Sequence, residues 1–163
     1  MIQTLPAHRQ DFGQHELIAP AVLRDSPADV ADIIAGLSGE NGLPREALRA
    51  AVDNWETALP FFLALLDAYV RDPAANDEAA DPLFFILHLF GQMRETRAYP
   101  LLMRFAAMEP DAVEHVLGDG VTGTFSRVAA SVFDGNPRPM QDAILNQSAD
   151  EYIRSGLFEA LMN

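Results

Sequence analysis

Apolar residues recur along this chain at the spacing of helix faces. One stripe with the spacing i, i+3, i+4 and i+7 predicts an amphipathic helix and consists of Val30, Ile33, Ile34 and Leu37. The segment from Leu83 to Phe90 is apolar except for His88, which predicts an inner helix that other elements cover. Helical spacing returns after a charged stretch, at Leu101, Leu102, Phe105 and Met108. The pattern therefore favours an all-α fold around a central helix pair.

Helix-start signals divide the pattern into separate elements. The segment Ser26-Pro27-Ala28-Asp29 combines a hydroxyl cap, a proline at the first helical position and a carboxylate, and so predicts a helix ending near Ser38. Thr57 is expected to cap a later helix that has Pro60 in its first turn. Proline and glycine interrupt residues 1–25, which we expect to form an arm or a short helix.

Parts of the sequence repeat at a period near 40 residues. The segment Glu56–Pro60 (ETALP) is echoed by Glu95–Pro100 (ETRAYP), and the apolar positions that follow match at a period of 40. A third unit contains Asp134-Gly135-Asn136, and a fourth begins at Ala149. Two helices per unit, with a proline early in the second, are typical of HEAT or armadillo solenoids. We expect one all-α, HEAT/armadillo-like α-solenoid of stacked helix pairs over 1–163, divided into an arm (1–25), a lead-in helix and joint (26–42) and repeats (43–163), the last incomplete.

Several short segments also resemble a known family. The combination of LPREAL, LFFILHL, RETRAYP, LGDGVT, FDGN and SADEYIR is similar to the bacterial family called domain of unknown function 1186, from about Leu43 to the end. The central stretch also resembles HEAT-like repeats. The resemblance implies a right-handed stack of helix pairs and implies no activity. Family members continue past SADEYIR with further helices, so the resemblance implies that the last repeat here lacks its second helix.

Charge and composition narrow the classes of partner. The chain has 24 acidic and 11 basic residues, a net charge of −13, so nucleic acid and anionic membrane surfaces are disfavoured. All 11 basic residues are arginine, which excludes Schiff-base lysines and P-loop lysines. There is no cysteine, and no apolar run approaches the roughly 20 residues of a membrane span. We expect a cytoplasmic protein with no nucleic-acid or membrane partner.

The candidate chemical motifs are incomplete, and each has a structural interpretation. His88 is expected to be satisfied by a neighbouring turn rather than to bind a ligand. The segment Gly118–Thr124 could hold a phosphate on its backbone amides, but it also fits a helix C-cap followed by a threonine cap. The segment Asp134-Gly135-Asn136 lacks the later ligands of a calcium loop. Asp111 and His115 share a helix face without a third ligand. We therefore predict no catalytic, cofactor-binding or metal-binding residue and no cofactor.

The charged turn after the central helix carries the main functional alternatives. Arg94, Glu95 and Arg97 are expected to pair with acidic residues of an adjacent unit, Asp119 or Asp134. The function that follows is a non-enzymatic repeat module that binds a protein or a peptide. The alternative is an enzyme or small-molecule-binding protein with a polar cleft at the inter-helix turns. That candidate polar surface would consist of Arg94, Glu95, Arg97, Tyr99, Asp119, Thr122, Asp134 and Asn136.

The last predicted helix, from Asp150 to Met162, is more apolar than packing on one neighbour requires. Terminal repeats need a polar outer face to remain soluble. We therefore expect a homodimer in which this helix packs on its mate, with the N-terminal arm as a competing cover and a purely structural oligomer subunit as a third possible role. The candidate oligomer edge consists of Leu157, Phe158, Leu161 and Met162.

Overall fold

Regular structure in the described part of the chain is entirely helical. The computed structural model describes residues 26–39 and 42–162, and these contain no β-strand. None of their helices is both long and apolar enough to cross a membrane. The predicted arm at 1–25 lies outside the described residues. The helices are α1 (Ala28–Leu37), α2 (Arg45–Asp53), α3 (Trp55–Arg71), α4 (Ala80–Met93), α5 (Tyr99–Ala106), α6 (Pro110–Leu117), α7 (Gly120–Gly123), α8 (Phe125–Ser131), α9 (Arg138–Leu145) and α10 (Glu151–Met162).

The first helices confirm the apolar stripe and correct one predicted cap. The four stripe residues of α1 are all buried. Helix α3 begins at Trp55, so Thr57 lies inside its first turn and Pro60 lies further along the helix. Asn54 ends α2 and also precedes α3, and its carbonyl accepts the Thr57 and Ala58 N–H groups. The prediction that Thr57 caps the helix is therefore wrong, because a single residue separates the two helices.

Helix α4 is the central element, and its burial is less complete than the sequence predicts. Most of the apolar run is fully buried, but Phe84, Phe85 and His88 remain half-buried. The helix ends at Arg94, whose φ of 51° places it in the left-handed region. The Glu95 N–H group then donates to the Phe90 carbonyl, a bond that closes a left-handed helix end. A short 3-10 helix, Thr96–Ala98, leads directly into α5.

Helix α4 runs parallel to the segment that contains α7 and α8. Helix α4 packs on α8, and its residues Phe84, His88 and Gly91 approach Gly120, Thr124 and Val128 in the same order. A Cβ atom on Gly91 would lie 3.2 Å from Cγ2 of Val128, so glycine permits this close approach. Helix α5 packs between α3 and α9, and α10 packs on α8 and α9. These contacts place α5 between α3 and α9, and α8 between α4 and α10.

Long side chains join segments that lie about 40 residues apart in the sequence. The Tyr69 hydroxyl donates to the Ala112 carbonyl at 2.8 Å, across 43 residues of sequence. The Tyr99 hydroxyl donates to the Asn136 carbonyl at 2.8 Å, across 37 residues. The Asn146 amide donates to the Ala107 carbonyl at 3.0 Å, across 39 residues. Both tyrosine rings are buried in the same core as Phe62, Phe90 and Phe105. These partly buried bonds, together with the apolar core, therefore fix distant parts of the chain to one another.

Candidate functional site

The eight residues predicted to form one polar surface lie at two places in the fold. The residues from Arg94 to Tyr99 follow the C-terminal end of α4, and Tyr99 reaches the 134–136 turn. Asp119 lies in the α6–α7 turn, beside Ala80 and Asp81 at the other end of α4, and Thr122 lies in the short helix α7 that follows. Helix α4 has 14 residues and so spans about 20 Å. The structure therefore does not bring Asp119 and Thr122 together with the other six.

Glu95 is the centre of a hydrogen-bonded cluster between α3 and α5. Its carboxylate accepts the Trp55 indole N–H at 3.1 Å. The same carboxylate accepts three bonds from Arg97, namely from the backbone N–H at 3.1 Å, from Nε at 2.6 Å and from Nη2 at 2.8 Å. Glu95 is the one buried charged residue of the described chain, at 6% exposure. Because every buried polar side-chain atom there has a partner, the cluster is chemically satisfied.

Arg97 joins this cluster to the preceding unit. Its guanidinium contacts the Glu56 carboxylate at 3.2 Å as well as Glu95. A charged turn that pairs with a neighbouring unit was predicted, but the partner is Glu56 rather than Asp119 or Asp134. Arg94 is exposed and makes no ion pair with the described residues. The turn therefore contains one arginine that forms ion pairs, Arg97, and one that forms none with the described residues, Arg94.

The arginine bonds set the protonation state of Glu95. The Arg97 hydrogen bonds are the main cause that lowers the pKa of Glu95 to about 2, against burial, which raises it, while the Trp55 bond lowers it further. Glu95 is consequently ionised at neutral pH and holds no proton to donate. Burial raises the pKa of Tyr99, whose hydroxyl is already engaged with Asn136.

Three other candidate sites from the sequence contain side chains that already have partners within the fold. His88 Nδ1 lies 2.6 Å from the Phe84 carbonyl, and its Nε2 lies 2.9 Å from the Thr124 hydroxyl, so both ring nitrogens have partners. Thr124 therefore faces His88 instead of capping α8. The Asp134 carboxylate accepts the Asn136 N–H at 2.8 Å, which closes a tight turn. No group of three or more potential metal ligands occurs in the described residues, and His115 contacts Asp77 at 2.9 Å.

A cleft that sequence reasoning missed opens at the other end of α4. It has a volume of about 590 Å³ and lies between the end of α1, the beginning of α4 and the α6–α7 turn. Its contributing segments are far apart in sequence, and the only local signal is Gly118-Asp119-Gly120, which also forms the predicted C-cap of α6. The residues that give the cleft its character are Leu37, Asp81, Phe84, Phe85, Leu117 and Asp119.

Comparison with known proteins identifies the family to which these features belong. The family model described as "Protein of unknown function (DUF1186)" matches residues 28–163, and so covers every helix from α1 to α10. The chain belongs to this family. The match begins earlier than the sequence resemblance indicated, at the start of α1 instead of near Leu43. The helices that form the cleft and the Glu95 cluster are thus all parts of the DUF1186 domain.

Two curated relatives of this DUF1186 protein come from chlamydiae. An "Uncharacterized protein" of Chlamydia muridarum is 28% identical over 138 residues, which cover 83% of this chain and 55% of the relative. An "Uncharacterized protein" of Chlamydia trachomatis serovar D is 28% identical over 137 residues, which cover 82% of this chain and 54% of the relative. The chain therefore spans about half the length of these relatives. No solved structure matches it.

The last helix of the DUF1186 domain departs from the predicted oligomer edge. Leu157 is fully buried in the core, and Leu161 is half-buried against it. Phe158 and Met162 are exposed, and Tyr152 joins them with 56% of its surface exposed. The prediction that Leu157 belongs to an exposed edge is wrong, because the face of α10 that carries it packs on α8 and α9. The exposed large apolar residues of α10 are Phe158 and Met162, one turn apart, and Tyr152 near the start of the helix.

Proposed function

We propose that this DUF1186 protein is a non-enzymatic helical-repeat module, of the HEAT or armadillo type, that recognises a protein or a peptide. The observation that carries the proposal is the regular sequence separation of its tertiary contacts. Hydrogen bonds between neighbouring units join residues 36, 37, 39, 40 and 43 positions apart. A constant separation near 40 residues, between helices that run parallel, is the geometry that stacked helix pairs produce.

Stacked repeats provide an extended surface in place of a deep reaction chamber. Each unit contacts only its neighbours, so the row of outward helices and turns remains available for a partner. The polar groups at the C-terminal end of α4 have partners within the fold, since Glu95 bonds to Arg97 and the Tyr99 hydroxyl donates to the Asn136 carbonyl. Their hydrogen-bonding capacity is therefore used in holding the units together, which supports recognition over chemistry.

A small-molecule-binding protein or an enzyme with a polar cleft at the inter-helix turns is the alternative. It would need convergent polar groups that are free to contact a substrate. Two of the eight residues in that hypothesis lie at the opposite end of α4, and Glu95 is ionised and saturated. The alternative therefore has less support than the binding module.

Location and self-association complete the proposal. A cytoplasmic location is supported by the absence of cysteine from the chain. Self-association through α10 is supported by Phe158 and Met162, which are exposed one helical turn apart, because monomeric proteins seldom expose adjacent large apolar side chains. In this proposal the module binds both a second copy of the chain and a different protein.

Affinity capture under competition tests the binding module. Tagged protein is incubated with lysate of a bacterium that carries a DUF1186 gene, with and without excess untagged protein, and captured proteins are quantified by mass spectrometry. We expect at least one protein whose capture is abolished by the untagged competitor. If no captured protein responds to competition, and a metabolite mixture instead raises the melting temperature, the small-molecule alternative is correct.

A further inference from the structure

The charged side chains among the described residues that line the cleft at the beginning of α4 are all acidic. Among the described residues, Asp81 and Asp119 are the charged residues of its wall, and none of the described arginines or histidines contributes to it. Both aspartates are exposed, and neither carboxylate pairs with another residue in the described part of the chain. In a protein with a net charge of −13, a cleft with unpaired carboxylates repels anions. A phosphate on the Gly118–Gly120 amides is therefore disfavoured, and a cation is favoured.

Helix ends strengthen this preference. Helix α1 has 10 residues and α6 has 8, and both end at the cleft, so their C-terminal carbonyls add partial negative charge there. Helix α4 begins at the same place, but Asp81 in its own first turn offsets the partial positive charge of that end. The combined field at the cleft is consequently negative.

The floor of the cleft is apolar and aromatic. The rings of Phe84 and Phe85 meet edge to face at 5.1 Å, and both are half-buried. Leu37 and Leu117 lie behind them in the core. Half-exposed rings beside carboxylates suit a ligand that carries an apolar group next to a cation, since the cation can also lie against a ring face. The cleft volume of about 590 Å³ is in the range of sites that hold a few side chains.

We propose that this cleft binds a peptide segment in which an arginine or a lysine adjoins an apolar side chain. The inference rests on the proposed binding module and specifies the chemistry of its partner. The basic side chain lies between Asp81 and Asp119, and the apolar side chain covers Phe84 and Phe85. Charge complementarity selects this occupant over an acidic or a neutral peptide.

Fluorescence anisotropy with three labelled peptides tests the chemistry. The probes alternate arginine with leucine, arginine with serine, and glutamate with leucine. We expect saturable binding of the arginine–leucine peptide, at least about fivefold weaker binding of the arginine–serine peptide and no binding of the glutamate–leucine peptide. Equal binding of the two arginine peptides would overturn the proposal, because the aromatic floor would then contribute nothing.

Matched charge variants test the location. Asp81→Asn with Asp119→Asn should weaken binding of the arginine–leucine peptide about fivefold, whereas Asp53→Asn with Asp142→Asn, which removes the same charge elsewhere, should change it less than about twofold. Equal weakening by both pairs would show only general attraction to an acidic protein and would refute the site. Phe85→Ala should also weaken binding about fivefold. Melting curves by circular dichroism verify that each variant is folded.

Partner capture separates failure of the cleft from failure of the module. If wild-type protein captures a competed partner and the Asp81/Asp119 variant captures it equally well, the cleft inference fails while the binding module stands. If the wild-type protein captures no competed partner and binds no peptide, both fail. Loss of the partner with the Asp81/Asp119 pair, but not with the Asp53/Asp142 pair, supports both.

Discussion

The Glu95 cluster makes a quantitative prediction about stability. Replacement of Glu95 by glutamine keeps the size of the side chain and one acceptor for the Trp55 indole, but it removes the charge that binds Arg97. The variant leaves a neutral group in a place where the folded protein stabilises a carboxylate. We therefore expect Glu95→Gln to be less stable than the wild type at neutral pH.

The pKa of Glu95 gives the magnitude. A pKa of about 2, against an ordinary value of 4.5, corresponds to about 3 kcal/mol of stabilisation of the folded state by the ionised carboxylate. The Arg97 side chain is 55% exposed, and solvent screens its interaction, so we take about 2 kcal/mol as the expected loss in Glu95→Gln. That loss is a large fraction of the total stability of a domain of this size.

The same numbers fix the pH dependence. The pKa of Glu95 is lower in the folded than in the unfolded chain, so the unfolded chain binds more protons between about pH 5 and pH 2. The stabilisation is complete above this window and is lost as the pH falls through it. We expect the stability difference between wild type and Glu95→Gln to be about 2 kcal/mol at pH 7 and to shrink towards zero near pH 2.

Urea unfolding followed by tryptophan fluorescence measures this difference. Trp55 is the only tryptophan of the chain and donates directly to Glu95, so its emission reports on the cluster itself. Glu56→Gln is the matched control, since Glu56 contacts the same arginine but is 76% exposed, and it should change stability little. A Glu95→Gln loss that stays constant from pH 7 to pH 3, or that is no larger than the control, would refute the reasoning.

Three further predictions concern other parts of the stack. Phe105→Ala and Leu87→Ala should each cost about 2–5 kcal/mol in chemical unfolding, because both side chains are fully buried; a cost near zero at either would remove it from the core. Arg94→Gly should raise stability by about 0.5–1 kcal/mol in thermal melts, because the residue has a φ of 51°; a lower Tm would instead mean that its side chain has a structural partner. Phe158→Glu should abolish self-association measured by light scattering at low and high salt, and a wild type that is monomeric at both would contradict the role proposed for α10.

Local patterns predicted the helices better than their boundaries. The α1 stripe and the early proline of α5 have the predicted form, because side-chain spacing and proline geometry act within a few residues. The prediction that Thr57 caps α3 failed because a threonine at a plausible cap position does not show where the preceding helix ends. Phe84 and Phe85 were expected to be buried, but coverage depends on the turn at Gly118–Gly120, which a one-dimensional pattern does not place.

The candidate site was less predictable for the same physical reason. Pairing of the charged turn with a neighbouring unit followed from the repeat, but the choice of Glu56 over Asp119 or Asp134 depends on which acidic residue lies beside Arg97 in space. Asp119 lies at the beginning of α4, because α6 packs on α4 and ends beside Ala80 and Asp81. The cleft combines three segments that are adjacent only in three dimensions.

The bonds that join successive units have a consequence for how this fold tolerates change. In two of them a tyrosine hydroxyl donates to a main-chain carbonyl, that of Ala112 for Tyr69 and that of Asn136 for Tyr99. Every residue type carries such a carbonyl, so the receiving segment, helix α6 for Tyr69 and the 134–136 turn for Tyr99, can exchange its side chains without loss of the bond, whereas the donor must remain a tyrosine. The receiving segments are therefore free to diversify into new contact surfaces while the two rings preserve the spacing between the parts they join.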